Sequence, residues 1–178
     1  MIYDPVDEEI QIMDENEQRS KTKLTKAINL SDPIKKIVSG NMVVMAVETS
    51  MMEVVKKLQK SHEGCVLLVR GEVLVGIFTE RDLLWKVAGK GLDWANEPVE
   101  KHMTIKPQTL RLEDPIAYAL NMMEDGGFRN VPLTDEKGHP TGVARMRDII
   151  SYIAQYYHKD VMNLPPEPFR KSIKQHNG

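Results

Sequence analysis

Apolar and polar positions alternate along this chain in two similar sets, between about residue 30 and residue 158. In the first set, Val43 to Val47 reads as a short strand. Ser50 caps a helix that carries Met51, Val54, Val55 and Leu58 on one face. Val66 to Val69 is an unbroken apolar run that predicts a buried strand, and Arg70-Gly71-Glu72 is a turn. Val73 to Phe78 then pairs back as a hairpin. Thr79 opens a second helix that runs to about Lys86 and ends near Gly89. In the second set, Asp114 caps a helix with Pro115 at its first position, and Ile116, Ala119, Leu120 and Met123 line its face. Asn130 to Leu133 and Thr141 to Ala144 form the second hairpin, and Met146 to Gln155 the last helix. The order is β-α-β-β-α, twice. One such unit has a small core and an exposed sheet face, so the expected fold is α/β (α+β), two units packed through their sheets about a pseudo-two-fold.

The two sets keep register. Gly76 and Gly142 are 66 apart (142 − 76), as are Asp82 and Asp148 (148 − 82). Cys65 and Asn130 are 65 apart (130 − 65). The extra residue falls in the longer turn Asp135-Glu136-Lys137-Gly138, where length varies most easily. Residues 30–95 and 96–158 therefore read as two motifs between tails. Residues 1–29 are acidic at Asp7-Glu8-Glu9 and basic from Arg19 to Lys26, which suggests a flexible arm. Residues 159–178 contain Pro165, Pro166 and Pro168, which exclude a regular helix there.

Composition narrows the function classes. A net charge of −2 supplies no global field toward nucleic acid, leaving only the basic stretches Arg19 to Lys26 and Arg170 to Lys174 for such a role. No apolar run approaches the roughly 18 residues of a membrane span. The start Met1-Ile2-Tyr3-Asp4-Pro5 lacks the basic and apolar regions of a secretory signal. Cys65 is the single cysteine and has no partner for an internal disulfide, so the expectation is a cytoplasmic protein. The five histidines show no ligand spacing, and no nucleophile-base set, phosphate loop or carboxylate pair is visible. Neither a metal site nor an enzyme is expected.

Three segments carry a family resemblance: Gly76-Ile77-Phe78-Thr79-Glu80-Arg81-Asp82, Gly142-Val143-Ala144-Arg145-Met146-Arg147-Asp148, and Gly126-Gly127-Phe128-Arg129-Asn130-Val131-Pro132-Leu133. In this order and register they resemble tandem CBS motifs, the Bateman module. The resemblance implies an adenosine-containing ligand (AMP, ADP, ATP or S-adenosylmethionine) held in a cleft between the motifs. It also implies a regulatory role, a homodimer and a protein effector that the sequence does not name.

A nucleotide needs a carboxylate acceptor for ribose, cations for phosphate, and an apolar slot for adenine. The resemblance groups Thr79 and Asp82 with Arg129 and Asn130 in one cleft, with Ile77 against adenine and Lys106-Pro107-Gln108 closing the wall. A single arginine at the phosphate end argues for few phosphates, AMP first. Val44, Cys65, Arg145 and Asp148 belong to a weaker second cleft. There Arg145 stands at the threonine position and Gly64 at that of Arg129 (129 − 65 = 64). Arg145 either meets phosphate or pairs with Asp148 and closes the pocket. Plainer roles exist for each residue. Thr-x-x-Asp at a helix start is an N-cap, Arg129 a surface cation, Cys65 a small core hydrophobe, and Trp85 and Trp94 packing at the crossover between motifs. The alternatives to a nucleotide sensor are a constitutive dimerisation scaffold with empty clefts and an S-adenosylmethionine binder.

Overall fold

The computed structural model describes residues 29–38 and 41–156. The acidic and basic N-terminal stretches and the proline-containing tail lie outside the described residues. The elements below fall in one compact unit, residues 28–152, and the last four described residues of the final helix are assigned to the other unit.

The first copy begins with β1, Val44–Ala46, which runs parallel to β2, Cys65–Arg70, with Val44 opposite Leu67 and Ala46 opposite Val69. Helix α1, Met51–Ser61, joins them. The Ser50 side chain accepts the Glu53 N–H at its start, and His62 ends it in the left-handed conformation (φ 56). Strand β3, Val73–Thr79, returns antiparallel to β2. The apolar run of β2 is unbroken because both faces are covered. Val66 and Leu68 join Phe78, Met51, Val54 and Leu58 in the core beneath α1. Cys65 and Leu67 point the opposite way, with Ile77, onto Val143 of the second copy. The two copies therefore do pack through their sheets.

After β3, a short α turn, α2, Glu80–Asp82, passes into a π turn over Leu83–Val87, closed by the Ala88 N–H on the Leu83 carbonyl at 2.8 Å. The expected helix from Thr79 through about Lys86 is present, but beyond Asp82 it takes the π form. Strand β4, Thr104–Ile105, then pairs antiparallel with β3 and gives a four-stranded sheet in the order β1-β2-β3-β4.

The second copy contains helix α3, Ile116–Gly126, the hairpin β5, Asn130–Thr134, with β6, Pro140–Arg145, and helix α4, Met146–Tyr156. Its first strand is reduced to one parallel bridge, Leu110 on Leu133. Pro132 lacks an N–H, so on that side of β5 it offers only its carbonyl, which takes the Leu110 N–H at 3.1 Å.

Asp114 does not cap α3. Its carboxylate turns back to accept the Arg111 N–H at 2.8 Å. The free donors of α3 are met instead by backbone from the start of the described chain: Ile116 N–H bonds the Asp32 carbonyl and Ala117 N–H the Leu30 carbonyl, both at 2.9 Å. The same exchange occurs at α1, where Met51 N–H bonds the Glu97 carbonyl at 2.8 Å. Ile116 and Met51 are 65 apart (116 − 51), and so are Glu97 and Asp32 (97 − 32). Each copy's leading Asp/Glu-Pro segment therefore starts the other copy's helix, which ties the two together by backbone bonds as well as by the intersheet core.

Candidate ligand-binding site

A cavity of about 720 Å³ opens between the two copies. Its first-copy wall comes from Ile77 and Thr79 at the end of β3 and from Glu80, Arg81, Leu84 and Trp85 just beyond. Its second-copy wall comes from Lys106-Pro107-Gln108, from Phe128-Arg129 before β5 and from Asn130 at its start. Of the residues grouped from the sequence, Ile77, Thr79, Lys106, Pro107, Gln108, Arg129 and Asn130 line this cavity and Asp82 does not. Matched backbone bonds hold both walls: the Glu80 N–H donates to the Gly64 carbonyl at 3.2 Å, and the Met146 N–H to the Arg129 carbonyl at 2.9 Å. Lys106 sits in the left-handed region (φ 47), a strain of order 1 kcal/mol for a side-chain-bearing residue. Its N–H on the Val75 carbonyl at 2.9 Å fixes the bend, and Pro107 and Gln108 follow it onto the cavity wall.

Thr79 and Asp82 form a capping box at α2. Asp82 is 8% exposed and is not part of the lining. Its carboxylate accepts from the Thr79 backbone at 2.9 Å and hydroxyl at 2.7 Å, and from the Thr104 hydroxyl at 3.4 Å, and pairs with Lys86 at 2.7 Å. Thr79 and Thr104 do line the cavity, so Asp82 stands directly behind its wall.

The charge in the lining is three cations, Arg81, Lys106 and Arg129, against one carboxylate, Glu80. Arg81 donates to the Gly127 carbonyl at 2.7 Å. Lys106 and Arg129 have no ion-pair partner among the described residues. Beside them lies an apolar surface of Ile77, Trp85, Phe128 and the two prolines Pro107 and Pro132. Cationic ends next to an apolar slot suit an anion with an attached ring system.

Trp85 corrects the sequence reading. Trp94 packs against the first core, but Trp85 is 78% exposed on the cavity rim. Leu83 and Val87 take the core-facing positions of the π turn, which leaves Leu84 and Trp85 outward. Arg81, Leu84, Trp85 and Phe128 were not foreseen in the site. A signal for three of them was present, since 81, 84 and 85 share a helical face.

The second cleft differs from its expected form. Arg145 is 3% exposed and is held by Glu63 at 3.0 Å, by Asp148 at 3.5 Å and by the Asn41 carbonyl. Of its two expected roles it takes pairing with Asp148, with Glu63 as a partner the sequence did not point to. Arg147 shares Glu63 at 2.9 Å. Cys65 is no part of a cleft wall, because it fills the intersheet core, where burial pushes its thiol up to about 11. Val44 and Asp148 are likewise absent from the lining of the smaller cavity there, about 370 Å³, which Arg145 does line. Among the described residues, no three His, Cys, Asp or Glu side chains gather as a metal site, and no helix is long and apolar enough to cross a membrane.

Comparison with known proteins adds the following. The CBS domain family model matches residues 34–89 and 99–155. A CBS domain-containing protein of Arabidopsis thaliana, CBSCBSPB1, is 32% identical over 94 residues, which is 53% of this chain and 17% of that protein. The chain therefore matches under a fifth of that relative's length. A CBS domain protein of Pyrobaculum aerophilum complexed with AMP superimposes with a TM-score of 0.61 at 24% identity, over 69% of this chain and 98% of the other. The CBS domain pair of protein MJ0100, in complex with methylthioadenosine and S-adenosyl-L-methionine, gives 0.63 at 23% identity, over 69% and 96%.

Proposed function

The chain belongs to the CBS-domain family, with two copies in tandem, and from that premise we propose that its larger cavity binds an adenine nucleotide (AMP, ADP or ATP) as a regulatory signal. The observation that carries this reading is the pair of uncompensated cations, Lys106 and Arg129, beside an apolar slot in one cavity. Adenine would lie against Ile77, with Trp85 and Phe128 at the slot. Ribose would bond at the Thr79–Asp82 turn, and phosphate would meet Arg129 with Asn130 beside it. The volume, about 720 Å³, is within the range of small-ligand sites. Relatives of the same fold hold AMP, or S-adenosylmethionine with methylthioadenosine, and this supports the ligand class. The second cleft, with Arg145 locked into Glu63 and Asp148, is the degenerate one.

In this reading the protein is a sensor rather than an enzyme. Ligand would bias the placement of the two copies, by no more than its differential affinity for the two arrangements. A homodimer, through which the signal would reach a protein effector in the cytoplasm, belongs to the same reading. A second reading, a ligand-free scaffold, is favoured by one observation: the Asp82 carboxylate is already occupied by Thr79, Thr104 and Lys86.

A thermal-shift panel of AMP, ADP, ATP and S-adenosylmethionine separates the two. A ligand at a hundred times its Kd adds about 2.7 kcal/mol to stability, so a binder raises Tm visibly. The sensor reading expects a rise with an adenine nucleotide, lost in Arg129→Ala. The scaffold reading expects none with any of the four.

A further inference from the structure

We propose that Glu80 limits the phosphate number of the ligand: its carboxylate stands at the neck between the two cavities and disfavours a chain longer than one phosphate. The inference rests on the larger cavity binding an adenine nucleotide.

Four residues, Gly64, Glu80, Arg129 and Asn130, line both the larger and the smaller cavity. They form the passage that a growing phosphate chain would enter. Glu80 is exposed, and its side chain has no ion-pair or hydrogen-bond partner among the described residues. Its Oε2 lies 3.8 Å from where a Cβ on Gly64 would stand, and the glycine leaves it room at that point. One phosphate at Arg129 would stay in the larger cavity, whose lining also carries the unpaired cation Lys106. A second or third must pass the Glu80 carboxylate into the smaller cavity.

That compartment offers little in return. Arg145 is bound to Glu63 and Asp148, and Arg147 to Glu63 at 2.9 Å and Asp148 at 3.7 Å. Arg145 and Arg147 are matched by Glu63 and Asp148, so once Arg129 holds the first phosphate the smaller cavity has no uncompensated cation left to offset Glu80. Like charges at a few ångströms in a partly screened cleft repel by enough to set selectivity. A first-turn acid that merely favours α2 would have no effect on the ratio of nucleotide affinities.

The test is calorimetric titration of the full chain with AMP, ADP and ATP in metal-free buffer, repeated with Glu80→Gln and Glu80→Lys. The expected order for the natural chain is AMP, then ADP, then ATP. Glu80→Gln should narrow the AMP-to-ATP affinity ratio by about tenfold, and Glu80→Lys should narrow it further. AMP binding by the variants is itself the check on their fold. Equal affinity for AMP and ATP in the natural chain, or a ratio unmoved in both variants, overturns the role of Glu80 and leaves the nucleotide site standing. Failure of the natural chain to bind any of the three overturns both.

Discussion

Thr79 and Asp82 complete one another's hydrogen bonds. The Asp82 carboxylate accepts the Thr79 N–H at 2.9 Å and its hydroxyl at 2.7 Å, while the Thr79 oxygen accepts the Asp82 N–H at 3.2 Å. The plain role of this turn, capping, and its proposed role, holding ribose, therefore fall on the same carboxylate. The cap uses Oδ2, so a ribose hydroxyl would take Oδ1 by displacing the Thr104 hydroxyl at 3.4 Å or the Lys86 ammonium at 2.7 Å.

Asp82→Asn separates the roles. The amide oxygen still accepts at the cap, so stability should fall by no more than about 1 kcal/mol, measured by urea denaturation. The charge that would strengthen a ribose hydrogen bond is gone, so AMP affinity should drop about tenfold or more, measured by titration. An unchanged affinity would leave Asp82 as a cap alone.

Arg145 is predicted to matter for stability. It is 4% exposed at the side chain and faces Glu63 at 8% and Asp148 at 13%. Arg145→Ala leaves those carboxylates short of a buried partner and should cost about 3 kcal/mol in urea unfolding. Arg145→Met combined with Glu63→Met should be less destabilised than Arg145→Met alone, because no orphaned charge remains at that pair. A double variant as unstable as the two singles summed would contradict the buried-pair account.

Acid should weaken the fold from a defined set of carboxylates. Asp32 is held below the usual range by the Lys36 ammonium and then by the Tyr152 hydroxyl, which donates to it at 2.6 Å. Glu97 is lowered chiefly by His102, and Asp135 chiefly by the His139 backbone N–H. Groups with lowered values stabilise the fold at neutral pH and lose that contribution as pH falls below their ordinary range. Tm should therefore be level from pH 7 to about 5 and decline below about pH 4. Asp32→Asn should flatten part of that decline. A steeper decline in that variant would remove Asp32 from the set.

Much of this architecture was legible in the sequence because its determinants are local. The face of Met51, Val54, Val55 and Leu58, the Ser50 cap, and the offset between Gly76 and Gly142 need only short-range rules. The grouping of Arg129 with Thr79 came instead from the family resemblance, and the cavity lining holds both residues. The misreadings have non-local causes. Asp114 looked like a cap, yet the α3 donors go to carbonyls of Leu30 and Asp32, more than 80 residues away (116 − 32 = 84). Arg145 had one visible partner, Asp148, and gained Glu63 from the other copy. Trp85 looked like packing because aromatic residues usually bury, and only the break into a π turn shows it facing the cavity rim. Cys65 was assigned a cleft by its repeat position, whereas its own strand turns it into the intersheet core.

The central claim is one competent nucleotide site per chain, and the stoichiometry of AMP binding tests it most directly. Isothermal titration of the full chain should give one AMP per chain, and none for Arg129→Glu, which places a carboxylate where the phosphate would bind. Two equivalent AMP per chain, or a full site surviving in Arg129→Glu, would contradict the account.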